Sequence, residues 1–209
     1  MDFRREIEST RQYIDSIAWE KADQYAAWLS QQYYIVKRST PYLGLCLFHS
    51  DKYPAFQKRC IQHINEEKGH EVLIENDLKA LGWPLLAELP ETASIYQTQH
   101  FRIVAQNPMS FLGYVFFLEL LAPVYGPEVI EKVNNPKASN FLKVHAINDD
   151  DHLEEAAKIY ETMTDELRHL VAANFLATKS SYQSMLKAIA ESSSRKNVDD
   201  VFRLSQISL

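Results

Sequence analysis

The chain has 209 residues, 46% of them hydrophobic and 24% charged, with a net charge of −6 at pH 7. That length suits a single domain with a substantial core, and the mild acidity argues against a nucleic-acid binder, which needs a basic face. The two cysteines, Cys46 and Cys60, form no CxxC pair, so neither a disulfide framework nor a zinc–thiolate site is implied, and both read as free, packed thiols in a reducing cytoplasm.

Read in chain order, the opening MDFRREIEST has no apolar core of the kind a signal peptide carries, and helical spacing begins at once, predicting a helix over 2–16. Helices follow over 20–37 and 39–50, with STPYL marking a kink or corner between them. A long helix over 53–81 stops at LGWP, where Gly82 suits a left-handed C′ position and Pro84 cannot continue the helix. Further helices are predicted over 91–105, 108–122 and 127–133, with NPMS and YGP as breaks, then over 137–162 and 165–191. After the hinge-like ESSSRKN, a short amphipathic helix is predicted over 196–204. Only five glycines are present and strand-like alternation is hard to find. The expectation is an all-α helical bundle forming one domain over 1–209, with its core over about 10–190 and a short tail over 194–209. The most apolar run, FLGYVFFLELLAPVY, is shorter than the ~20 residues of a bilayer span and carries Glu119 and Pro123. It reads as a helix buried inside the protein, with no membrane partner.

Two stretches carry chemistry. HINEEKGH begins at His63 and HAINDDDH at His145, and each reads His-x3-acid-x2-His. On one continuous helix, positions i, i+4 and i+7 point within roughly 60° of one another. His63, Glu67 and His70 would then share a stripe, as would His145, Asp149 and His152. A solvated helix face is the ordinary reading of one such stripe. Its repetition in a chain with seven histidines points to mixed nitrogen and oxygen ligands for iron, manganese or zinc. Paired Glu-x2-His helices build the di-iron and di-manganese carboxylate bundles. Glu119 is the one charge in an apolar helix, and a lone buried carboxylate costs several kcal/mol unless it is paired or bound to a metal. An arginine partner is the alternative to a metal. Asp150 and Asp151 point away from Asp149 by ~100° and ~200° and read as a solvated face.

These residues resemble the haem-oxygenase-like di-metal oxidases and oxygenases. That group includes an alkene-forming fatty-acid decarboxylase, N-oxygenases and the chlamydial protein associating with death domains. The family pattern is Glu-x2-His on one core helix, Glu on a second and His-x3-Asp-x2-His on a third. Here it falls on Glu67 and His70, then Glu119, then His145, Asp149 and His152. EEKGHEVLIENDLKALG is similar to the family's first-motif helix, and QQYYIVKRSTPYL to its aromatic second-helix segment. The resemblance implies a haem-oxygenase-like fold of about seven core helices. It also implies two iron ions (manganese being possible) held by those six residues, and O2 as co-substrate. His63 lies outside the six and reads as a hydrogen-bonding partner of a ligand carboxylate or as a packed histidine. The interval from Glu119 to His145 is shorter than the family pattern suggests. Tyr13 lies near the place where the chlamydial relatives oxidise a tyrosine of their own, and an ordinary core tyrosine is the alternative.

The function implied is an O2-dependent non-haem di-iron oxidoreductase. It would act on a small-molecule substrate, an amino acid or a fatty or other carboxylic acid, with an external electron donor possible. The expected working form is a cytoplasmic homodimer. Tyr34, Lys37 and Phe117 are candidate pocket residues, within an aromatic lining that also takes in Tyr33, Phe111, Tyr114 and Leu118. Lys37 or Arg38 would hold a substrate carboxylate, surface charge being the alternative. Two other readings stay open: a metal-independent thiaminase-like or pyrroloquinoline-quinone-synthase-like enzyme, with Cys46 as its pocket cysteine, and a non-catalytic metal-binding bundle.

Overall fold

Proline and glycine decide where these helices run and where they stop, and not always where the sequence suggests. In the computed structural model, which describes residues 1–192 apart from the side chains of residues 147–152, every regular element is helical. The side chains of Asp149 and His152, the predicted 196–204 helix and the 194–209 tail lie outside the described residues.

The predicted 2–16 helix is two short ones, α1 (Phe3–Glu8) and α2 (Arg11–Ile14), joined at Ser9 and the buried Thr10, whose hydroxyl accepts from Gln183 Nε2. The corner expected at STPYL is absent: α3 runs unbroken over Ala22–His49 with Pro41 inside it. Proline at that position removes the hydrogen bond to the carbonyl of Lys37. Both Pro41 and Lys37 are exposed, so water can take up the freed carbonyl and the helix continues.

The converse correction falls on the predicted 53–81 helix. It divides into α4 (Pro54–Glu67) and α5 (His70–Leu81), with Lys68 extended and Gly69 at φ +93°. Left-handed backbone is open to glycine without a Cβ penalty, and here it falls two residues past Glu67, the last residue of α4. Gly82 takes the left-handed C-cap of α5, as the LGWP stop predicts. Residues 91–105 become α6 (Pro90–Phe101), which widens into a π-type turn over Arg102–Gln106.

NPMS does break the chain. Asn107 is extended, its side chain accepts from Met109 N, and a 3₁₀ turn leads into α7 (Leu112–Val133). YGP does not, because α7 passes through Pro123, Gly126 and Pro127. At Gly126 a Cβ would lie 3.0 Å from Ala146 Cβ, so this glycine serves the close approach of α8 (Asn140–Glu161) rather than a turn. At Gly113 a Cβ would meet the Val171 carbonyl oxygen at 2.1 Å, so α9 (Asp165–Ser192) packs directly on the α7 backbone.

α7 is thus the central helix, packed against α8 and α9. Extended to Val133 it becomes long and apolar enough to cross a bilayer, with a mean hydropathy of 1.5 over its most apolar window. That window is 78% buried among its neighbours, as the reading of a buried helix requires.

The candidate metal centre

The break at Gly69 shapes the site. His63 and Glu67 lie on the last turns of α4, while His70 opens α5, so the single stripe expected of one continuous helix does not exist. The side chains converge instead around the Glu67 carboxylate. His63 Nε2 lies 3.7 Å from Glu67 Oε1 on one side, and His70 Nδ1 lies 3.5 Å from the same oxygen. α7 brings Glu119 to 2.9 Å from His63 Nε2. Pro123, one turn on, has no N–H to give to the Glu119 carbonyl. α8 brings the ring of His145 to 4.9 Å from that of His70, edge to face, with Phe141 packed against His145 at 4.5 Å.

Glu67 and Glu119 are 6% and 7% exposed and His63 is 5% exposed, so these charges are held away from water. Burial alone would lower the His63 imidazole, but the facing carboxylates of Glu119 and Glu67 raise it to about 9. Burial likewise pulls Glu67 upward, while the facing imidazoles of His63 and His70 hold it well below the ordinary carboxylate range.

Two groups of three donors result. Ligand atoms of Glu67, His70 and His145 lie within 4.8 Å of one another, and so do those of His63, Glu67 and Glu119. Glu67 belongs to both. The donor set fits iron: carboxylate oxygens and imidazole nitrogens, with no thiolate among the described residues at the site. Nδ1 of His70 is buried with no hydrogen-bond partner among the described residues, Glu67 Oε1 at 3.5 Å being too far for a good one. A cation between them would satisfy both. Of the six residues picked out from the sequence, Glu67, His70, Glu119 and His145 come together here, and Asp149 and His152 lie outside the described residues. His63, set aside in the sequence reading, sits within hydrogen-bonding distance of Glu119.

His63, Glu67, Glu119 and His145 form part of the wall of a cavity of about 110 Å³. Its lining is mostly apolar, including Phe111, Tyr114 and Leu118 as expected, and contains no lysine or arginine among the described residues. Neutral polar groups come from Gln32, Ser39 and Tyr182. The Tyr182 hydroxyl accepts from Trp28 Nε1 at 3.0 Å and Gln32 Nε2 at 3.1 Å, and burial pushes its ionisation upward.

The other predicted pocket residues lie elsewhere. The Tyr34 hydroxyl donates to the Leu86 carbonyl, Lys37 is exposed over the Tyr33 ring, and Phe117 is buried against Phe175 and Tyr182. Arg38 stacks on Tyr96 and Tyr13 packs at the edge of the core; none of these lines the cavity. Aromatic spacing on α3 marked the right helix, but its inward face carries Trp28, Gln32, Ile35, Val36 and Ser39. A polar residue at helical spacing among apolar ones, as Gln32 is, was the available signal. Cys46 does not reach the cavity either. Burial, with the Cys60 thiol beside it, pushes its thiol well up, opposite to what a nucleophile needs.

A family of proteins described as iron-containing redox enzymes matches residues 26–182. Among solved structures, a domain of unknown function with a heme oxygenase-like fold from Shewanella denitrificans superposes with a TM-score of 0.78 at 21% identity, covering 91% of this chain and 88% of that one. A CADD-like protein of unknown function from Nostoc punctiforme gives a TM-score of 0.63 at 14% identity, over 90% and 84% of the two chains. No curated protein matches the chain. At such identities the two structures speak for the fold, which is the haem-oxygenase-like helical bundle. The family match spans well over half of the sequence, and the chain belongs to the family of iron-containing redox enzymes.

Proposed function

We propose that the protein is a non-haem di-iron oxidoreductase that uses O2 to oxidise a small organic molecule with a largely apolar body. One observation carries the reading: Glu67 is common to two three-donor groups, and those groups open on an apolar cavity. A carboxylate shared in this way is how paired metals are held in helical bundles. Iron bound there supplies the redox chemistry with O2 that no side chain in the cavity can perform.

The chain's own residues do the rest. Glu67 and Glu119 supply negative charge in a site screened from water, where it attracts a cation strongly. Phe111, Tyr114 and Leu118 exclude water and position the substrate's apolar part. Gln32, Ser39 and Tyr182 offer neutral hydrogen bonds. The apolar wall suits the chain of a fatty or other carboxylic acid better than a polar amino acid, and with no lysine or arginine among the described lining residues the acid's carboxylate is left to the metal. The only thiols, Cys46 and Cys60, are buried away from the cavity, so the reading takes electrons beyond those of the substrate from an external donor. It places the working form in the cytoplasm as a homodimer.

Anaerobic titration with ferrous iron, followed by metal analysis and then O2 exposure, tests this. About two irons per chain are expected, with O2 uptake after reduction that speeds up in the presence of the right carboxylic acid. Protein that takes up no iron, or iron that leaves O2 consumption at the buffer rate, would overturn it.

A further inference from the structure

Building on the two-iron reading above, we infer that His63 is itself a metal ligand, joining Glu67 and Glu119 on one ion while His70 and His145 join Glu67 on the other. The split at Gly69 makes this possible. On an unbroken helix His63 and His70 would stack along one stripe, one above the other. Because α4 ends at Glu67 and the chain turns through Lys68 and Gly69, the two imidazoles approach the Glu67 carboxylate separately. His70 then meets α8 at His145, and His63 meets α7 at Glu119.

The distances suit coordination. Two donors bonded to one ion at about 2.1 Å lie roughly 3.0 Å apart when adjacent and no more than about 4.2 Å apart when opposite. His63 Nε2 lies 2.9 Å from Glu119 Oε1, close to the spacing of adjacent donors, and 3.7 Å from Glu67 Oε1, inside the upper limit. His63 also faces the cavity together with both carboxylates, which is where an ion between the three would sit. An imidazole that only supports a ligand carboxylate usually lies behind it, away from the metal. His63 instead presents the same nitrogen to two carboxylates at once.

Two substitutions with opposite chemistry separate ligation from hydrogen bonding. His63→Gln keeps an N–H of similar reach for Glu119 but offers a poor ligand. His63→Glu offers a ligand oxygen but cannot donate to Glu119. Ferrous iron and, separately, cobalt(II) are titrated anaerobically into wild type and both variants, and bound metal is measured together with the visible cobalt spectrum. The inference expects two ions in wild type, about one in His63→Gln and about two in His63→Glu, with an altered cobalt spectrum in His63→Glu. Should His63→Gln fail to fold, His63→Glu carries the test alone. Two ions and a wild-type spectrum in His63→Gln, or loss of an ion in His63→Glu, overturn the inference and leave the two-iron reading intact. If wild type binds a single ion, the two-iron reading fails, and His63 is upheld as a ligand only if His63→Gln abolishes that ion. Metal-free wild type overturns both.

Discussion

Asn174 and Gln99, fully buried between α9 and α6, hydrogen-bond each other in both directions at 2.8 and 3.1 Å, and their remaining amide hydrogens go to the carbonyls of Ser110 and Ile95. Glu67 and Glu119, almost as deeply buried between α4 and α7, are charged groups rather than amides. They face the imidazoles of His63 and His70 with oxygens that can only accept. An amide carries donor and acceptor together, so two amides close a knot by themselves. Two carboxylates cannot, and here it is the imidazoles that face them, with His63 Nε2 2.9 Å from Glu119. The first region is polarity that holds helices together. The second is polarity gathered beside a cavity, and the two-iron proposal rests on it.

Substitutions can break that contrast, and the largest effect is expected at Glu67. It is common to both donor groups, so Glu67→Ala should bring iron content from about two per chain to nearly none. Metal analysis after anaerobic reconstitution reads this directly. Retention of one iron would show that Glu67 serves only one of the groups.

Asp77 belongs to both regions and should come next. From α5 it reaches the start of α8, where Oδ1 accepts from Asn140 N and Nδ2 and Oδ2 accepts from Phe141 N at 2.9 Å. It closes its hydrogen bonds as the amide knot does, yet it anchors the helix that carries His145. Removing a buried charged acceptor with several donors should cost roughly 2–4 kcal/mol. Asp77→Ala should therefore lower the urea midpoint and also weaken iron binding. Asn174→Ala should cost less, about 1–3 kcal/mol for the amide and carbonyl groups left without partners, and should leave iron stoichiometry at the wild-type value. If Asn174→Ala reduced bound iron as Glu67→Ala does, the division between structural and metal-facing polarity would fall.

Much of this division was legible in the sequence. The helical period and scarcity of glycine point to the all-α bundle, and HINEEKGH, the His145 that opens HAINDDDH and the lone charge at Glu119 mark residues that the structure brings close together. What the sequence hid was local backbone chemistry. Gly69 within HINEEKGH gives no sign that it takes a positive φ and ends a helix, because glycine is also tolerated inside one. Pro41 and Pro127 read as a corner and a break, yet the long helices absorb them, and at Pro41 solvent can take up the freed carbonyl. Gly126 reads as part of a turn because its reason is the Ala146 methyl of another helix, which no local pattern records. The predicted pocket residues on α3 went astray for a related reason. Tyr34 and Lys37 are correctly placed on the helix, but which of its faces turns inward is set by its packing against other helices, chiefly α4, α5 and α6.

A third kind of polar cluster completes the comparison and should show the smallest effect. On the surface Glu128 of α7 binds Arg11 of α2, and Lys132 one turn on at 2.7 Å, with Asp15 3.6 Å from the same lysine. Hydrogen bonds from Lys132 and then Arg11 lower the Glu128 carboxyl to about 2. Because its folded value lies below the unfolded value of about 4.3, the stabilisation is present above that unfolded value and is lost as pH falls toward 2. Glu128→Gln should therefore lower the urea midpoint slightly at pH 7, with the difference closing between about pH 4 and pH 2. Salt should shrink it further, since solvent screens exposed pairs of this kind. The buried Glu67 cluster should behave differently, its hold on iron changing little with moderate salt, because water and counter-ions do not reach it. A Glu128→Gln effect that grew in acid, or that rivalled Asp77→Ala, would mean that α2 is anchored by this charge cluster rather than by the burial of Ile14.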